Sequence, residues 1–386
     1  MECNHAPDSI VMRKLNMVEA VCLIAGAGIG GGVMALPYLA ARTGFWPAIF
    51  IMLIAYGTTV ALHIMIAELS IRTDYSSELL TIFTKHLFRG RNSFRSAFYV
   101  LMAVTLVCNL AAYITGSGDI LADLLGIPVI LAEVLFFICA AIVVALGLKR
   151  AAINEAVTLT VMLAILSLLV IGTFTLPAHR TLGTMNWQPS PLLAVYGVAM
   201  FSLSSLFAVP QAASGLRGDN RRLKSAVIMG LLINLIVMIV ITLSVLLSAD
   251  PVTEVAIVGW ATALGGITGV LGSLFIALAM LGTFWSISLQ LSDMTNEYFR
   301  SGRILSWLTA TAPSFLLALL PVSGFLSLMQ IAGGATAIVV ACMAVPAYRN
   351  AIRDADGLLL GHHGKSRILC GSVVILYLLM AVASLL

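Results

Sequence analysis

Long apolar runs separated by short polar segments constrain this chain more than any other feature. Of its 386 residues, 60% are hydrophobic and only 10% are charged, and the mean hydropathy is +1.05. A soluble domain carries about 25% charged residues, and a run of about 20 apolar residues is long enough to cross a bilayer as a helix. The sequence therefore predicts an all-α integral membrane protein.

About eleven such runs can be placed along the chain. We predict spans near 17–40, 45–70, 96–121, 128–148, 152–176, 191–214, 225–248, 260–290, 304–320, 324–347 and 368–385. If the N-terminus is cytoplasmic, every Lys and Arg except Arg42 and Arg180 falls in an inner segment, as the positive-inside rule requires. The odd span count then places the C-terminus outside. We therefore expect a multi-pass protein of the plasma (inner) membrane.

The middle of the first span reads GAGIGGG, from Gly26 to Gly32. It matches the dinucleotide fingerprint G-x-G-x-x-G, but that fingerprint functions where a strand turns into a helix, so a nucleotide site is rejected. Each helical glycine costs about 1 kcal/mol relative to alanine, and five glycines in seven positions predict an unwound segment. Inside a bilayer, such a segment requires shielding by protein or a water-filled cavity. Close helix packing through G-x-x-x-G is the alternative.

The sixth span contains a second candidate break. It reads YGVAMFSLSSLFAVPQAASG, with Ser202, Ser204 and Ser205 at its middle and Pro210 beyond them. Proline removes a backbone donor and clashes with the preceding turn. The serines can satisfy the backbone groups that this frees, or they can contact a substrate. A kinked, serine-lined helix without a substrate role is the alternative.

The positions of the two breaks divide the chain into halves. Residues 17–176 and 191–347 each hold five spans and each open with an interrupted helix. Because five is odd, the second half is inverted relative to the first, and paired interrupted helices in inverted halves indicate a transport site at the membrane midplane. We predict a 5+5 inverted-repeat fold with broken first and sixth helices. Residues 1–16 form a cytoplasmic segment, and 368–385 an additional, peripheral eleventh helix.

Two other function classes fit the sequence poorly. A channel requires polar or charged faces repeated along several spans, and none appear. An enzyme requires Asp, His, Glu or Cys clustered at catalytic spacing, and few such residues lie inside the spans. The six cysteines are scattered without metal-ligand spacing. We therefore predict a transporter without enzymatic activity, cofactor, structural metal or nucleic-acid partner.

Three stretches carry a resemblance to a known family. AGAGIGGGVMALPYLAARTGF resembles the first helix of amino acid permeases of the amino acid–polyamine–cation superfamily, and most closely the hydroxy/aromatic amino acid permease family. MFSLSSLFAVPQAASGLRGDNRRLKSAVIMG and ALAMLGTFWSISLQLSD, in the sixth and eighth spans, are similar to the same family. The resemblance implies secondary active import of neutral amino acids, aromatic or hydrophobic, by alternating access, and we predict that protons are the coupling ion. A sodium-coupled symporter of small neutral or hydroxy amino acids, or an exchanger, is the alternative.

A zwitterionic substrate needs a partner for each of its charges. The amides of Gly30, Gly31 and Gly32 would begin the outer half of the first helix, where a helix N-terminus suits a carboxylate. The ammonium group would take carbonyls from the two breaks: Ala27, Gly28, Phe201 and Ser202. The side-chain pocket would be lined by polar and aromatic residues, which could instead be packing residues: Asn109, Ser204, Ser205 and Phe207.

Further residues are candidates for binding the coupling ion and for forming the cytoplasmic gate. The resemblance implies a sodium site between the first and eighth spans, formed by Gly26, Ile29, Ala279, Gly282 and Thr283. Glycine at 282 replaces a hydroxyl residue of sodium-coupled relatives and so favours protons, for which His63 and Glu68 are candidates, although His63 could simply pack against a neighbouring helix. By resemblance, a cytoplasmic gate pairs the basic residues Arg13 or Lys14 with Asp293 and Glu297.

Overall fold

The computed structural model describes residues 14–76, 78–88, 91–146, 151–176, 182, 185–253, 256–320, 324–353 and 358–384. In chain order the helices are α1 (Met17–Gly28), α2 (Gly31–Thr43), α3 (Phe45–Arg72), α4 (Leu79–Phe83), α5 (Asn92–Leu125), α6 (Val129–Leu146), α7 (Ala151–Phe174), α8 (Pro189–Ser202), α9 (Ala208–Gly215), α10 (Asn220–Ser248), α11 (Ala256–Leu264), α12 (Thr268–Phe299), α13 (Arg303–Ala318), α14 (Phe325–Val339), α15 (Val345–Ala351) and α16 (Arg367–Ala383). Short π- and 3₁₀-helical segments cover Thr84–Phe88, Val340–Ala344 and Gly361–Lys365. The described ranges contain no strand, so the all-α class is confirmed.

Six helical segments within the described residues are long and apolar enough to cross a membrane. They are Phe45–Arg72, Asn92–Leu125, Ala156–Phe174, Asn220–Ser248, Thr268–Phe299 and Ser327–Ala351. The pair α1 and α2 passes the same test as one span with a 55° bend, and several shorter helices are also apolar. The count of eleven spans stays a prediction. Arg13 and the other residues of 1–13 lie outside the described residues.

The first span is broken at Ile29 and Gly30, between α1 and α2. The prediction of an unwound segment over all of Gly26–Gly32 is wrong in extent, because helix continues through Gly28 and resumes at Gly31. Several of the glycines permit close packing instead. A Cβ on Gly28 would lie 1.9 Å from Asn234 Nδ2, and one on Gly31 would lie 2.8 Å from Phe325. The glycine run thus contains a helix break and also permits close helix packing. From the sequence alone, these two roles were alternatives.

The second break runs from Leu203 to Phe207, between α8 and α9. It coincides with the serines and not with Pro210, which lies in the first turn of α9. Amides in a first turn have no partner within the helix, so proline is tolerated there. The physical role of Pro210 is therefore to start the second half-helix, and the serine segment itself is the break.

The two broken helices lie side by side at the centre of the bundle. Helix α2 packs against α8, and α1 packs against α9. The long helices α3, α5, α10 and α12 surround them, with α3 and α10 in mutual contact and α5 and α12 likewise. The two breaks are consequently brought together and enclosed by helices.

Helix α16 has closer contacts than the prediction of a peripheral helix implied. The Tyr196 hydroxyl of α8 donates to the Leu376 carbonyl at 3.1 Å. Tyr377 is fully buried, and a Cβ on Gly197 of α8 would lie 2.9 Å from Ala383. The prediction is wrong in this respect, because α16 packs against α8, the N-terminal half of the second broken helix.

Candidate functional site

A cavity lies where the two breaks meet, and α5, α12 and α14 close its sides. Its lining consists of Ala27, Gly28, Gly30, Gly32, Thr105, Leu106, Asn109, Tyr113, Phe201, Ser202, Ser204, Ser205, Leu206, Phe207, Ala208, Thr283, Ser286, Ile287, Gln290 and Thr336. Ten of the eleven substrate residues predicted from the sequence are in this set, and the eleventh, Gly31, faces Phe325 and Met329 of α14. Residues more than 250 positions apart thus meet at one site.

The free ends of the first broken helix point toward this cavity. The Gly30 amide is already bonded to the Gly28 carbonyl at 3.0 Å, so its predicted role as a free donor is wrong. Among the described residues, no backbone acceptor lies within hydrogen-bond distance of the Gly31 and Gly32 amides, and none of the backbone donors reaches the Ala27 carbonyl. The Gly31 amide donates to the Tyr113 hydroxyl. The break therefore offers the Gly32 amide of α2 as a donor and the Ala27 carbonyl of α1 as an acceptor.

Three polar groups of the serines at the second break are already engaged within the protein. The Ser202 hydroxyl donates to the Val198 carbonyl at 2.7 Å, and the Ser202 carbonyl accepts a 2.8 Å bond from Asn234 Nδ2. The Ser205 hydroxyl donates to the Ile24 carbonyl of α1 at 2.7 Å. The half-buried Ser204 lines the cavity and is the serine best placed to contact a ligand. Ser202 and Ser205 instead hold the broken helix in shape.

His63 of α3 is fully buried and binds the same break. Its Nδ1 lies 2.6 Å from the Thr59 carbonyl, and its Nε2 accepts a 2.9 Å hydrogen bond from the Ser205 amide. A carbonyl accepts only, so Nδ1 carries the ring proton, and Nε2 must be unprotonated to accept. His63 is therefore a neutral imidazole that caps an amide freed by the unwinding of the helix.

Glu68, the other residue predicted to carry a proton, lies away from the cavity. Its Oε1 is 2.5 Å from Arg72 Nη2, and its Oε2 accepts a 2.8 Å bond from the Leu359 amide. Both carboxylate oxygens are engaged in a buried arrangement that ties α3 to the segment before α16. This geometry indicates a structural contact.

The residues predicted to bind an ion converge between α1 and α12. The Thr283 hydroxyl donates to the Ala279 carbonyl at 2.8 Å and lies 3.4 Å from the Ile29 carbonyl. Gly26 is set back, because its carbonyl accepts from the Ile29 amide at the end of α1. Within the described chain, the single heavy atom within 4 Å of a Cβ on Gly282 would be Thr158 Cγ2, at 3.6 Å. Three oxygens thus meet at one point, and Gly282 leaves room beside them.

Sequence reasoning missed several polar side chains of α5, α12 and α14 that line the cavity: Thr105, Tyr113, Ser286, Gln290 and Thr336. The Tyr113 hydroxyl would lie 2.8 Å from a Cβ on Gly30. On α5, Thr105 and Tyr113 are each one turn from Asn109, a spacing that places them on the same face of a helix. Helical periodicity from one identified residue could therefore have found them.

A second cavity lies beyond the first, on the side of α2 and α8. It is lined by Tyr38, Leu39, Arg42, Ala194, Gly197, Val198, Phe201, Met329, Gln330, Gly333, Met380, Ala383 and Ser384. Phe201 lines both cavities, and its ring lies 3.3 Å from the positions of a Cβ on Gly32 and on Gly333. One aromatic side chain is therefore common to the linings of both cavities.

At the opposite side, the start of α1 meets the end of α9. The Leu15 amide, just before α1, donates to the Gly215 carbonyl at the end of α9 at 2.9 Å. On α12, Glu297 Oε1 accepts a 2.6 Å bond from the Thr81 hydroxyl of α4. Burial, together with the carboxylates of Asp293 and Glu297, raises the pKa of Glu78 to about 8. The predicted partner Arg13 lies outside the described residues, and Lys14 is exposed.

An all-helical membrane chain whose two broken helices meet at an enclosed polar cavity has the architecture of a membrane transporter. Residues 13–385 match the tryptophan/tyrosine permease family, and the chain belongs to this family, as the sequence resemblance predicted. Glutamine transporter 2 of Aliivibrio fischeri is 23% identical over 337 residues, which cover 83% of this chain and 85% of that protein.

Solved structures with the same fold include two mutant forms of the manganese transporter of Eremococcus coleocola. Each has a TM-score of 0.64 at 16% identity, over 100% of this chain and 88% of that chain. A third structure of that transporter, in complex with an aromatic bis-isothiourea substituted compound, matches with the same score at 15% identity. At these identities the likeness shows the fold alone. The relatives and structural neighbours are membrane transporters and not enzymes.

Proposed function

We propose that this protein imports a neutral amino acid by alternating access, with the substrate bound at the cavity between the two helix breaks. One observation carries the proposal: Gly32 and Ala27 line one cavity, and among the described residues neither the Gly32 amide nor the Ala27 carbonyl has a backbone hydrogen-bond partner. The Gly32 amide suits the substrate carboxylate, because a helix N-terminus carries partial positive charge and free donors.

The substrate ammonium group binds at the opposite ends of the breaks. The carbonyl end of α1, at Ala27, and that of α8, at Ser202, both border the cavity. These helix ends carry partial negative charge. Helix dipoles therefore compensate both charges of a zwitterion. A charged side chain at the membrane midplane, which would cost about 2.5–3.5 kcal/mol, is not needed.

The packing of the helices supports an inverted repeat over 17–176 and 191–347. If α1 to α7 correspond in order to α8 to α14, with the short α4 and α11 set aside, contacts in one half have counterparts in the other. Helix α5 packs against α14, as α12 packs against α7; α1 packs against α10, as α8 packs against α3. The pair α5–α13 likewise has the counterpart α12–α6. In such a repeat, each half can adopt the conformation of the other, which would open the site to the opposite side of the membrane.

Phe201 is the gate toward the second cavity. Its ring is the shared wall of the two cavities and contacts α2 and α14 near Gly32 and Gly333. Rotation of one side chain on the broken helix would connect the substrate site to the second cavity. The cluster of Glu78, Asp293 and Glu297, with Arg13 or Lys14, forms the gate on the other side.

The orientation follows from charge and surface. The N-terminal side is cytoplasmic and the end of α16 is outside, because Lys and Arg concentrate on the former side. Apolar side chains on the periphery, such as Ile304 and Ile368, each 81% exposed, face the lipid of the plasma (inner) membrane. The second cavity is then the external entrance.

Protons drive accumulation, and His63 carries the coupling proton. A second proton on the ring would sit on Nε2, which faces the donor N–H of Ser205 at 2.9 Å. Two donors repel, so protonation of His63 would release the break between α8 and α9. A proton that moves inward down a membrane potential of about 100 mV and a gradient of one pH unit releases about 3.7 kcal/mol. This is enough to accumulate the amino acid several-hundred-fold.

Sodium is the second candidate for the coupling ion. The carbonyls of Ile29 and Ala279 both lie within hydrogen-bond distance of the Thr283 hydroxyl, and hydroxyl and carbonyl oxygens are the ligands that hard cations prefer. Glycine at 282 contributes no side-chain ligand, which weakens this candidate. An exchanger would use the same site without an ion.

Imposed gradients test the proposal in one preparation. Purified protein in proteoliposomes is given a proton gradient or a sodium gradient separately, and uptake of labelled neutral amino acids is followed. We expect accumulation with the proton gradient, abolished by a protonophore. Accumulation that needs sodium and ignores a protonophore under clamped voltage would overturn the proton assignment and favour the second candidate.

A further inference from the structure

The side-chain end of the cavity carries two carboxamides, Asn109 on α5 and Gln290 on α12. Asn109 is 8% exposed. In each carboxamide one oxygen is buried and has no hydrogen-bond partner among the described residues. The oxygen and nitrogen of a carboxamide can exchange places by a flip, so each group offers either an acceptor or a donor at the same point.

The other polar groups around these carboxamides are partly engaged. The hydroxyls of Thr105 and Thr336 donate to carbonyls of their own helices, Leu101 at 2.7 Å and Ala332 at 2.8 Å. Among the described lining side chains, Asn109 and Gln290 are those with a buried oxygen that lacks a hydrogen-bond partner. A buried polar group without a partner costs the equivalent of a 5- to 150-fold change in an equilibrium constant, so a ligand that meets both groups is favoured.

We infer that Asn109 and Gln290 select an amino acid with a carboxamide side chain, such as glutamine or asparagine, over an aromatic or aliphatic one. This inference rests on the proposed function, since it assigns the substrate class at the same site. A substrate carboxamide has two N–H donors and one acceptor, which match two protein carboxamides in either flip state. The class differs from the aromatic or hydrophobic substrate that the sequence predicts.

Water supplies the reason why an apolar side chain is disfavoured. Polar groups in a small cavity are hydrated when no substrate is bound, and a ligand that displaces ordered water without replacing its hydrogen bonds loses affinity. A substrate carboxamide replaces those bonds, whereas a methionine or leucine side chain of similar length does not. A site built to hydrogen-bond a polar group of its substrate strongly rejects an analogue that lacks this group. An apolar pocket rejects an analogue with an added polar group far less strongly.

Competition for uptake tests this inference in the wild-type protein. Proteoliposomes take up labelled glutamine against an excess of unlabelled glutamine, asparagine, methionine, leucine, phenylalanine or tryptophan. We expect half-inhibition by the carboxamide amino acids at concentrations about 10- to 100-fold lower than by methionine or leucine. If labelled methionine, leucine or an aromatic amino acid is instead transported and preferred, the inference is overturned while the proposed function stands. If no amino acid enters at all, the proposed function fails.

Two variants locate the preference. Asn109→Leu and Gln290→Met replace each carboxamide by an apolar group of similar size, and each should reduce the preference for glutamine over methionine about 10-fold. Gln188→Met makes the same chemical change at an exposed residue before α8 and should leave the ratio unchanged. Because the ratio is measured within one preparation, a lower yield of a variant does not alter it. An unchanged ratio in both cavity variants would contradict the assignment.

Discussion

The Nε2 atom of His63 accepts a hydrogen bond from the backbone amide of Ser205 at 2.9 Å, across 142 positions of sequence. The contact joins an unbroken helix, α3, to the unwound centre of another. The next bond in the chain joins Ser205 to the Ile24 carbonyl of α1 at 2.7 Å. Through one residue, the protonation state of His63 is thus linked to the geometry of both broken helices.

Removing the acceptor at His63 should uncouple transport from protons. His63→Leu leaves the Ser205 amide buried and unpaired at a cost of about 1–3 kcal/mol, so we expect a lower thermal midpoint and strongly reduced uptake. His63→Gln keeps an acceptor that does not titrate and should retain exchange while losing accumulation driven by a proton gradient. Counterflow and gradient-driven uptake on the same vesicles separate these effects. Proton-driven accumulation by His63→Gln equal to that of wild type would refute the role.

Bulk at the first break should block substrate binding. A Cβ on Gly32 would lie 2.2 Å from the Ser202 hydroxyl, and one on Gly30 would lie 2.8 Å from the Tyr113 hydroxyl. We expect Gly30→Val and Gly32→Val to reduce uptake at least about 10-fold, since crowding of a packed site costs about 1–3 kcal/mol. Gly57→Val is the control, because no atom of the described chain lies within 4 Å of a Cβ there. Normal uptake by Gly32→Val that purifies as a single species would be incompatible with the site.

A hydroxyl at position 282 should introduce a response to sodium. The space beside Gly282 accepts a Cβ at ordinary contact distance, with Thr158 Cγ2 at 3.6 Å. Gly282→Ser places a fourth oxygen near those of Ile29, Ala279 and Thr283, and we expect uptake at low sodium to rise several-fold on addition of sodium. Gly282→Ala controls for the added carbon. If both variants respond equally to sodium, the oxygen is not a ligand.

The pH on the N-terminal side should control the inner gate through Glu78. Glu78 is half-buried beside Asp293 and Glu297, and there its pKa is about 8, against an ordinary value of 4.5. In the closed gate Glu78 holds a proton that it releases when the gate opens and the side chain is hydrated. The stability of the closed form relative to the open form therefore falls as the pH rises from about 4.5 to about 8, and it does not change further above pH 8. The closed gate is therefore favoured at low pH.

Thiol labelling measures this dependence. A single cysteine introduced at Ser204 is exposed to an impermeant reagent from the N-terminal side, and the rate is compared between wild-type Glu78 and Glu78→Gln. The Gln background corrects for the pH dependence of the thiol itself. We expect the ratio of rates to rise several-fold between pH 6 and pH 8. A constant ratio would contradict a titrating gate.

The parts of the fold that depend on local composition could be predicted from the sequence. Apolar length identifies the spanning helices, and the glycine run and the Ser202–Ser205 segment mark both breaks because backbone preference acts locally. The extent of the first break was overestimated. At Gly28 and Gly31 a side chain would clash with Asn234 and Phe325, respectively. This requirement for glycine comes from packing between distant segments of the sequence and not from local backbone preference.

The partners within the site could not be predicted in the same way. The bonds of His63 to Ser205 and of Asn234 to Ser202 join residues 142 and 32 positions apart, and no local preference sets such pairs. Tyr113 and Gln290 share a helix face with identified residues, but periodicity alone does not tell which face of an apolar helix meets a cavity. That orientation follows from the three-dimensional packing of α5 and α12 around the breaks.

Counterflow tests the central claim most directly. Proteoliposomes preloaded with each of the twenty amino acids in turn are diluted into a trace of the same labelled compound, with wild type and Gly32→Val in parallel. We predict transient, saturable entry of label for neutral amino acids, strongest for those with a carboxamide, and none for the variant. Absence of counterflow for all twenty amino acids with folded wild-type protein would contradict the account.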